Sequence, residues 1–390
     1  MIYLDNGATT LHKPQAVRAA VNRALLRCAN PGRGGYPAAM EAAEAVFRCR
    51  SLAGEMFDCE PERVVFTMNC THGLNMAIRT LVHPGDRVVI SGFEHNAVTR
   101  PLHALGARVT VAGRKLFSWE DTLADFDRAL SEKPVAAIFT HVSNVFGYVL
   151  PVEQLAELCR LHGVPFLVDA AQSAGSRPVS LKKWGAEFIA MPGHKGLLGP
   201  QGTGLLLCGR DPEPLMQGGT GSLSIQQDMP DFLPDRGEAG TVNVPGICGL
   251  AAGMTHIRHV GLKAIAAREE REAMRAAQGL AGLGLRVFTG PHQAGVLSFL
   301  PPDGDCETAA ERFAAGGLPC GLESTVRLRP MRAPGPWKPE PSEPALAPMH
   351  RRSKPGAFCR QPPPSGAERR GRRLPECNRS KILALSVREC

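Results

Sequence analysis

Between residues 60 and 210 the chain alternates short apolar runs, rich in β-branched residues, with longer stretches whose apolar positions recur three and four apart. The runs are VVFTM (64–68), RVVISG (87–92), RVTVAG (108–113), VAAIFTHV (135–142), VPFLVDA (164–170), FIAMP (188–192) and GTGLLLC (202–208). Several are apolar throughout, which fits strands covered on both faces. Helix-length segments at 70–82, 119–131 and 152–162 lie between them. The pattern predicts a doubly wound α/β domain with a mostly parallel sheet. The last two runs are too close for a crossover helix and are expected to pair antiparallel. A long helical stretch over roughly 246–280 follows, then strands at 285–290 and 294–301 and a helix near 307–316. These read as the start of a smaller α/β domain. The expected division is an N-terminal segment (1–15), a large domain (16–250), an incomplete small domain (251–316) and a tail (317–390).

Ligands of such sheets sit beyond the carboxyl ends of the strands. Five strand ends each deliver a polar group there. Thr71 opens the helix after the first run, where backbone N–H groups suit a phosphate. His95 follows the second in EHNAV, and Asn144 follows VAAIFTHV in SNVFG. Asp169 ends VPFLVDA with Gln172 just beyond, and Lys195 follows FIAMP inside the glycine-crowded PGHKGLLGPQGTG. Singly, each has a plainer role: Thr71 and Asp169 as helix caps, His95 as a structural histidine, the glycines as turns. Together they match what pyridoxal phosphate (PLP) requires. Its aldehyde condenses with a lysine amine, its pyridine nitrogen needs a carboxylate, its phosphate suits a helix N-terminus and its ring needs a flat partner. Lys195, Asp169, Thr71 and His95 meet these needs in turn, and Gln172 can donate to the ring's phenolate oxygen. The scarcity of charge near Lys195 in sequence favours a neutral, nucleophilic amine.

Most of the chain up to about residue 316 resembles the PLP-dependent class-V aminotransferase-fold family, specifically its cysteine desulfurase group. The matching segments are YLDNGATT (3–10), NPGRGGY (30–36), EHNAV (94–98), THVSNVFG (140–147), LVDAAQSAG (167–175), PGHKGLLGPQGTG (192–204), GGTGS (218–222) and LPDRGEAGTVNVPG (233–246). The resemblance implies PLP fold type I, with a seven-stranded sheet between helices in the large domain. It implies a homodimer with cofactor sites near the subunit interface, acting on L-cysteine and passing sulfur to an acceptor protein; separately, the start MIYLDNGATT, with neither a basic nor an apolar leader region, reads as that of a cytoplasmic protein. Lys195 and His95 are then the catalytic candidates: Lys195 holds PLP and His95 stacks on its ring. Thr71 and His194 contact the phosphate, and Thr241 reaches it from the partner subunit. Asn144, Asp169 and Gln172 complete the cofactor set. Some branches carry a serine where this chain has Pro192, so one phosphate hydroxyl is absent. The implied reaction converts L-cysteine to L-alanine and leaves a persulfide on a loop cysteine.

Composition narrows the picture. The apolar fraction is 43%, no apolar run approaches a membrane span, and the twelve cysteines form no C-x-x-C pair. The net charge is +8, but residues 317–390 carry fifteen Lys+Arg against six Asp+Glu, so the rest of the chain is close to neutral. The body therefore has no electrostatic support for nucleic-acid binding. The sequence points to no membrane partner and no metal.

The tail departs from the family. A segment like R-x-G-x-H-C-A-P, with the persulfide cysteine, should follow ERFAAGG (311–317), and then one like E-T-G-T-V-R with a substrate-binding arginine. This frame reads LPCGLESTVRLRPMRAPGPWKPEPSEP instead, and thirteen prolines fall in 317–390. Back-translated from the third base of Gly317, with synonymous bases chosen to suit, the same stretch yields L-A-V-R-A-G-V-H-C-A-P and then L-E-T-G-T-V-R. The tail thus reads as translated out of frame, and Cys320 is not the family's nucleophile. The competing reading is an evolved basic arm for nucleic acid or an acidic partner. For the body, a selenocysteine lyase, another class-V aminotransferase-type enzyme and a PLP-binding remnant without catalysis stay open. A nucleotide-binding protein is disfavoured, since GLLGPQGTG is neither G-x-G-x-x-G after a first strand nor a P-loop.

Overall fold

A computed structural model describes residues 2–32, 34–223, 225–318, 321–324 and 381–386, all within one compact unit. Two helices come first, α1 (Gln15–Arg27) and α2 (Pro37–Phe57). Strands and helices then alternate: β1 (Val64–Thr67), α3 (Cys70–Leu81), β2 (Arg87–Ser91), α4 (Asn96–Ala104), β3 (Arg108–Ala112), α5 (Trp119–Leu130), β4 (Ala136–Thr140), α6 (Val152–His162), β5 (Phe166–Asp169), α7 (Leu181–Trp184), β6 (Phe188–Pro192) and β7 (Gly204–Cys208). They build a seven-stranded sheet in the order β1-β7-β6-β5-β4-β2-β3. β3, β2, β4, β5 and β6 pair in parallel, and β7 runs antiparallel to both β6 and β1.

The seven expected strands are all present, because an uninterrupted apolar run is satisfied only where both faces are covered. β1, β4, β5, β6 and β7 are buried at every residue. β3 keeps alternating exposure because it is the sheet's edge. The core on the two faces includes Phe57, Phe126, Phe139, Tyr148 and Phe188, none more than 1% exposed. Since β7 alone runs backwards, the carboxyl ends of β1, β2, β4, β5 and β6 share one edge. Thr140 lies opposite Asp169 across β4–β5, and Asp169 lies opposite Ala190 across β5–β6.

One expectation needs correction. The helical stretch over 246–280 is two helices, α8 (Val244–Val260) and α9 (Leu262–Gly282). Gly261, at φ 89°, breaks them by taking a backbone conformation that L side chains rarely adopt. The expected out-of-frame tail lies largely outside the described residues, but two of its pieces are strands. β8 (Arg286–Phe288), β9 (Val296–Leu300), β10 (Gly321–Ser324) and β11 (Lys381–Ser386) form a second sheet in the order β10-β11-β9-β8, with α10 (Cys306–Ala315) between β9 and β10. These two pieces past residue 317 pair with each other, and β11 pairs with β9 of the small domain. The run Ile382–Leu385 is apolar throughout, which suits the central place β11 takes beside β9.

Candidate active site

The cavity at the strand ends encloses about 210 Å³. Thr71, His95, Asn144, Asp169, Gln172, His194 and Lys195 all line it. Seven of the eight expected site residues thus converge, although 124 positions separate Thr71 from Lys195. The exception is Thr241, which is exposed and accepts a 3.4 Å hydrogen bond from Asn30 Nδ2.

Asp169 is the last residue of β5 and is 3% exposed. Its Oδ1 accepts from the Ala171 amide at 2.8 Å and from the Cys70 thiol at 3.5 Å. Both bonds use one oxygen, which leaves Oδ2 available to a ligand. His95 is the N-cap of α4, and its Nδ1 accepts from the Ala97 amide at 3.0 Å. That bond fixes the neutral ring as the Nε2–H tautomer. Burial, followed by the Lys195 and Arg100 charges, lowers the His95 pKa against the opposing pull of Asp169. Gln172 donates from Nε2 to the Gly7 carbonyl at 3.0 Å. Thr71 lies in the first turn of α3, whose cap Asn69 accepts from the His72 amide at 2.9 Å. Asn144 sits in the turn closed by the Gly147 amide on the Ser143 carbonyl, with Gly147 at φ 64°.

The Lys195 loop is held from below by the N-terminal segment. The His194 carbonyl accepts from the Thr10 amide (3.2 Å), Thr10 Oγ1 (3.0 Å) and Lys13 Nζ (2.8 Å). His194 Nδ1 meets Thr9 Oγ1 at 3.0 Å, and burial, with Lys195 and Lys13 adding to it, brings this imidazole down to about 4. It is neutral at physiological pH. The Gln172 loop presses on the same backbone: a Cβ at Gly175, which has φ 94°, would stand 2.2 Å from the Gly196 carbonyl oxygen.

The expectation of a charge-poor setting for Lys195 holds in sequence but not in space. Asp169 lines the same cavity, and the Lys195 charge acts on Asp5, whose carboxyl is raised mainly by burial. Sequence reasoning missed Cys70, Glu94 and the bracing Thr9, Thr10 and Lys13. YLDNGATT was the available signal for the brace. Glu94 is packed behind His95, with Oε1 accepting from the Thr140 amide at 2.7 Å and from Ser91 Oγ. Burial pushes its carboxyl up to about 8.

An amine, a buried carboxylate with one oxygen to spare, a neutral imidazole and a helix N-terminus therefore face one small cavity. This donor set fits PLP. Among the described residues no cluster could hold a metal ion, and no helix is long and apolar enough to cross a membrane.

The chain is similar to known proteins. Residues 2–317 match the Aminotransferase class-V family. The chain is 34% identical over 322 residues to a probable cysteine desulfurase of Pyrococcus abyssi, covering 77% of this chain and 79% of that one. It is 34% identical over 275 residues to a probable cysteine desulfurase of Methanothermobacter thermautotrophicus, covering 68% of each. Among solved structures, the apo cysteine desulfurase of Thermococcus onnurineus NA1 superposes with a TM-score of 0.74 at 30% identity, over 83% of this chain and 84% of that one. A C-DES mutant with glycine covalently linked to its PLP cofactor reaches 0.72 at 23% identity, over 82% and 89%, and speaks to the fold alone. With this fold, this cavity and these relatives, the chain belongs to the class-V aminotransferase family, in its cysteine desulfurase group.

Proposed function

We propose that the chain binds PLP at Lys195 and is built for cysteine desulfuration, converting L-cysteine to L-alanine with release of sulfur to an acceptor. The observation that carries this reading is the convergence of Lys195, Asp169 and His95 on one 210 Å³ cavity. When bound, PLP supplies an aldehyde for amine condensation and a ring that stores the electrons released at the substrate's α-carbon. Asp169 Oδ2 would hold a proton on the ring nitrogen. Neutral His95 would stack on the ring, Gln172 would donate to the phenolate oxygen and Asn144 would line the site beside them. Thr71 and His194 would hold the phosphate, without a hydroxyl at Pro192, and Thr241 would complete this contact in the partner subunit of a homodimer. The Lys195 amine would hold the cofactor and could also serve as the base for the substrate's α-proton.

The sulfur-accepting step needs a loop cysteine, and the H-C-A-P segment is absent from this reading frame. That absence favours a second reading for the chain as written: a PLP protein that makes no persulfide by the family's route, or one acting on selenocysteine or another amino acid.

Reconstitution separates these. The purified chain incubated with PLP should show the visible absorbance of lysine-bound cofactor, and borohydride reduction should fix the cofactor on the Lys195 peptide. Lys195→Ala should lose both signals. On the first reading added L-cysteine should give alanine and free sulfur; on the second it should give little alanine and no protein persulfide. An unmodified Lys195 peptide in the reduced wild-type chain would defeat the cofactor assignment. Brisk alanine formation with a persulfide would defeat the second reading.

A further inference from the structure

The cofactor chemistry leaves one buried thiol of the cavity without a part. Cys70 is the first residue of α3, is 8% exposed, and lines the 210 Å³ cavity together with Asp169 and Lys195. The start of α3 is held close against the sheet. A Cβ at Gly204 of β7 would stand 2.8 Å from the Asn69 carbonyl carbon, so glycine there lets the helix start come this near.

The backbone of Asp169 is fixed by the sheet, with its carbonyl accepting from the His141 amide at 2.9 Å. Its side chain accepts from two donors, and both fall on Oδ1. The Ala171 amide, at 2.8 Å, is only two residues away, so this bond moves with the turn and leaves the carboxylate plane free to swing about it. The Cys70 thiol, at 3.5 Å, comes from another element 99 positions away. Two donors from separate segments, meeting on one oxygen, fix where the other oxygen points. Cys70 stays a donor because burial, with the Asp169 charge adding to it, holds its thiol well above the ordinary range. A thiol is a weak donor, so it orients the carboxylate and leaves most of its charge for a group in front of it.

We propose that Cys70 is a positioning residue: its thiol, bonded to Oδ1, aims Asp169 Oδ2 at the ring nitrogen of PLP. The role rests on the cofactor reading and adds to it a residue that acts only through Asp169.

Two measurements on the full chain separate the bond from its role. Without cofactor, the infrared difference between wild type and Asp169→Ala should show one S–H band moving to the higher frequency of an unbonded thiol. Cys70→Ser should remove that band. No moving band would overturn the proposal, and this pair decides the bond even if a Cys70 variant fails to fold. With PLP bound, Cys70→Ala should release the cofactor about fivefold faster and shift the pH profile of the lysine-bound absorbance. Cys70→Ser keeps a donor and should lie between alanine and wild type. Equal release and equal profiles in wild type and Cys70→Ala would overturn the role. So would a serine no better than alanine, which is what lost packing alone predicts. If wild-type Lys195 takes up no PLP, the cofactor reading fails and the role falls with it, while the infrared band reports the bond separately.

Discussion

Glu94 shows how far a single residue can depart from what its sequence position suggests. It stands just before His95 and reads as an ordinary acid preceding a helix. Folding instead buries it against Ser91 and Thr140 and leaves Oε2 without a partner among the described residues. With its pKa raised to about 8 from 4.5, the folded protein keeps a proton that the unfolded chain has released. Its contribution to stability is therefore fully present below the unfolded pKa and is lost as pH rises towards about 8. Glu94→Gln copies the neutral form and cannot titrate. Between about pH 5 and pH 9 the parent's melting temperature should fall relative to that of the variant, and matched thermal melts would measure it. Equal pH dependence in the two proteins would mean that Glu94 is ionised throughout. Lys195, Asp169 and His95 were legible because each follows an apolar strand, so their place depends on local pattern plus the strand-end rule. Glu94 and Cys70 were not, because burial beside Asp169 is a product of tertiary packing.

At the level of elements, two close fits hold neighbouring segments in place. Gly175→Ala would strain the backbone at φ 94° and drive a methyl into the Gly196 carbonyl. It should cost about 2 kcal/mol or more in denaturant unfolding and weaken PLP retention, because the Gln172 loop would back away from the Lys195 loop. Arg50 on α2 makes a two-pronged ion pair with Glu238, at 2.8 and 2.9 Å, with both side chains 8% exposed. Glu238 Oε1 also accepts from the Phe66 amide at 2.6 Å, and the Arg50 guanidinium lies 4.5 Å over the Phe66 ring. Arg50→Met would strand a buried carboxylate and should cost about 3–5 kcal/mol, while Arg50→Met combined with Glu238→Gln should recover part of that loss. Chemical denaturation of the three proteins would measure it. Neither contact could be read from sequence, since 188 positions separate Arg50 from Glu238. The strands could, because an apolar run encodes its own burial. The break at Gly261 sat inside a helical pattern that tolerates one glycine, so its position was invisible until the backbone was seen.

For the whole molecule, the charge is concentrated in the tail and the chemistry in the body. Leu25, Leu26, Tyr36, Met40 and Phe47 on or beside α1 and α2 are each at least 49% exposed, which suits a covered face in the proposed homodimer. Independent sequencing of the gene across codons 300 to 345, beside the intact mass of the protein, should restore H-C-A-P and T-V-R. A read that keeps this frame, with a mass matching 390 residues, would place the change in the gene itself or make the tail an evolved one. The order of synthesis gives the sheet topology a further meaning. Among the described residues β1 is hydrogen-bonded within its sheet only to β7, so the strand made first has no partner in the sheet until residue 208 has been added. By then every strand of that sheet and every wall of its cavity exists, Lys195 included. A shift of frame after residue 316 comes too late in translation to prevent that pocket from closing.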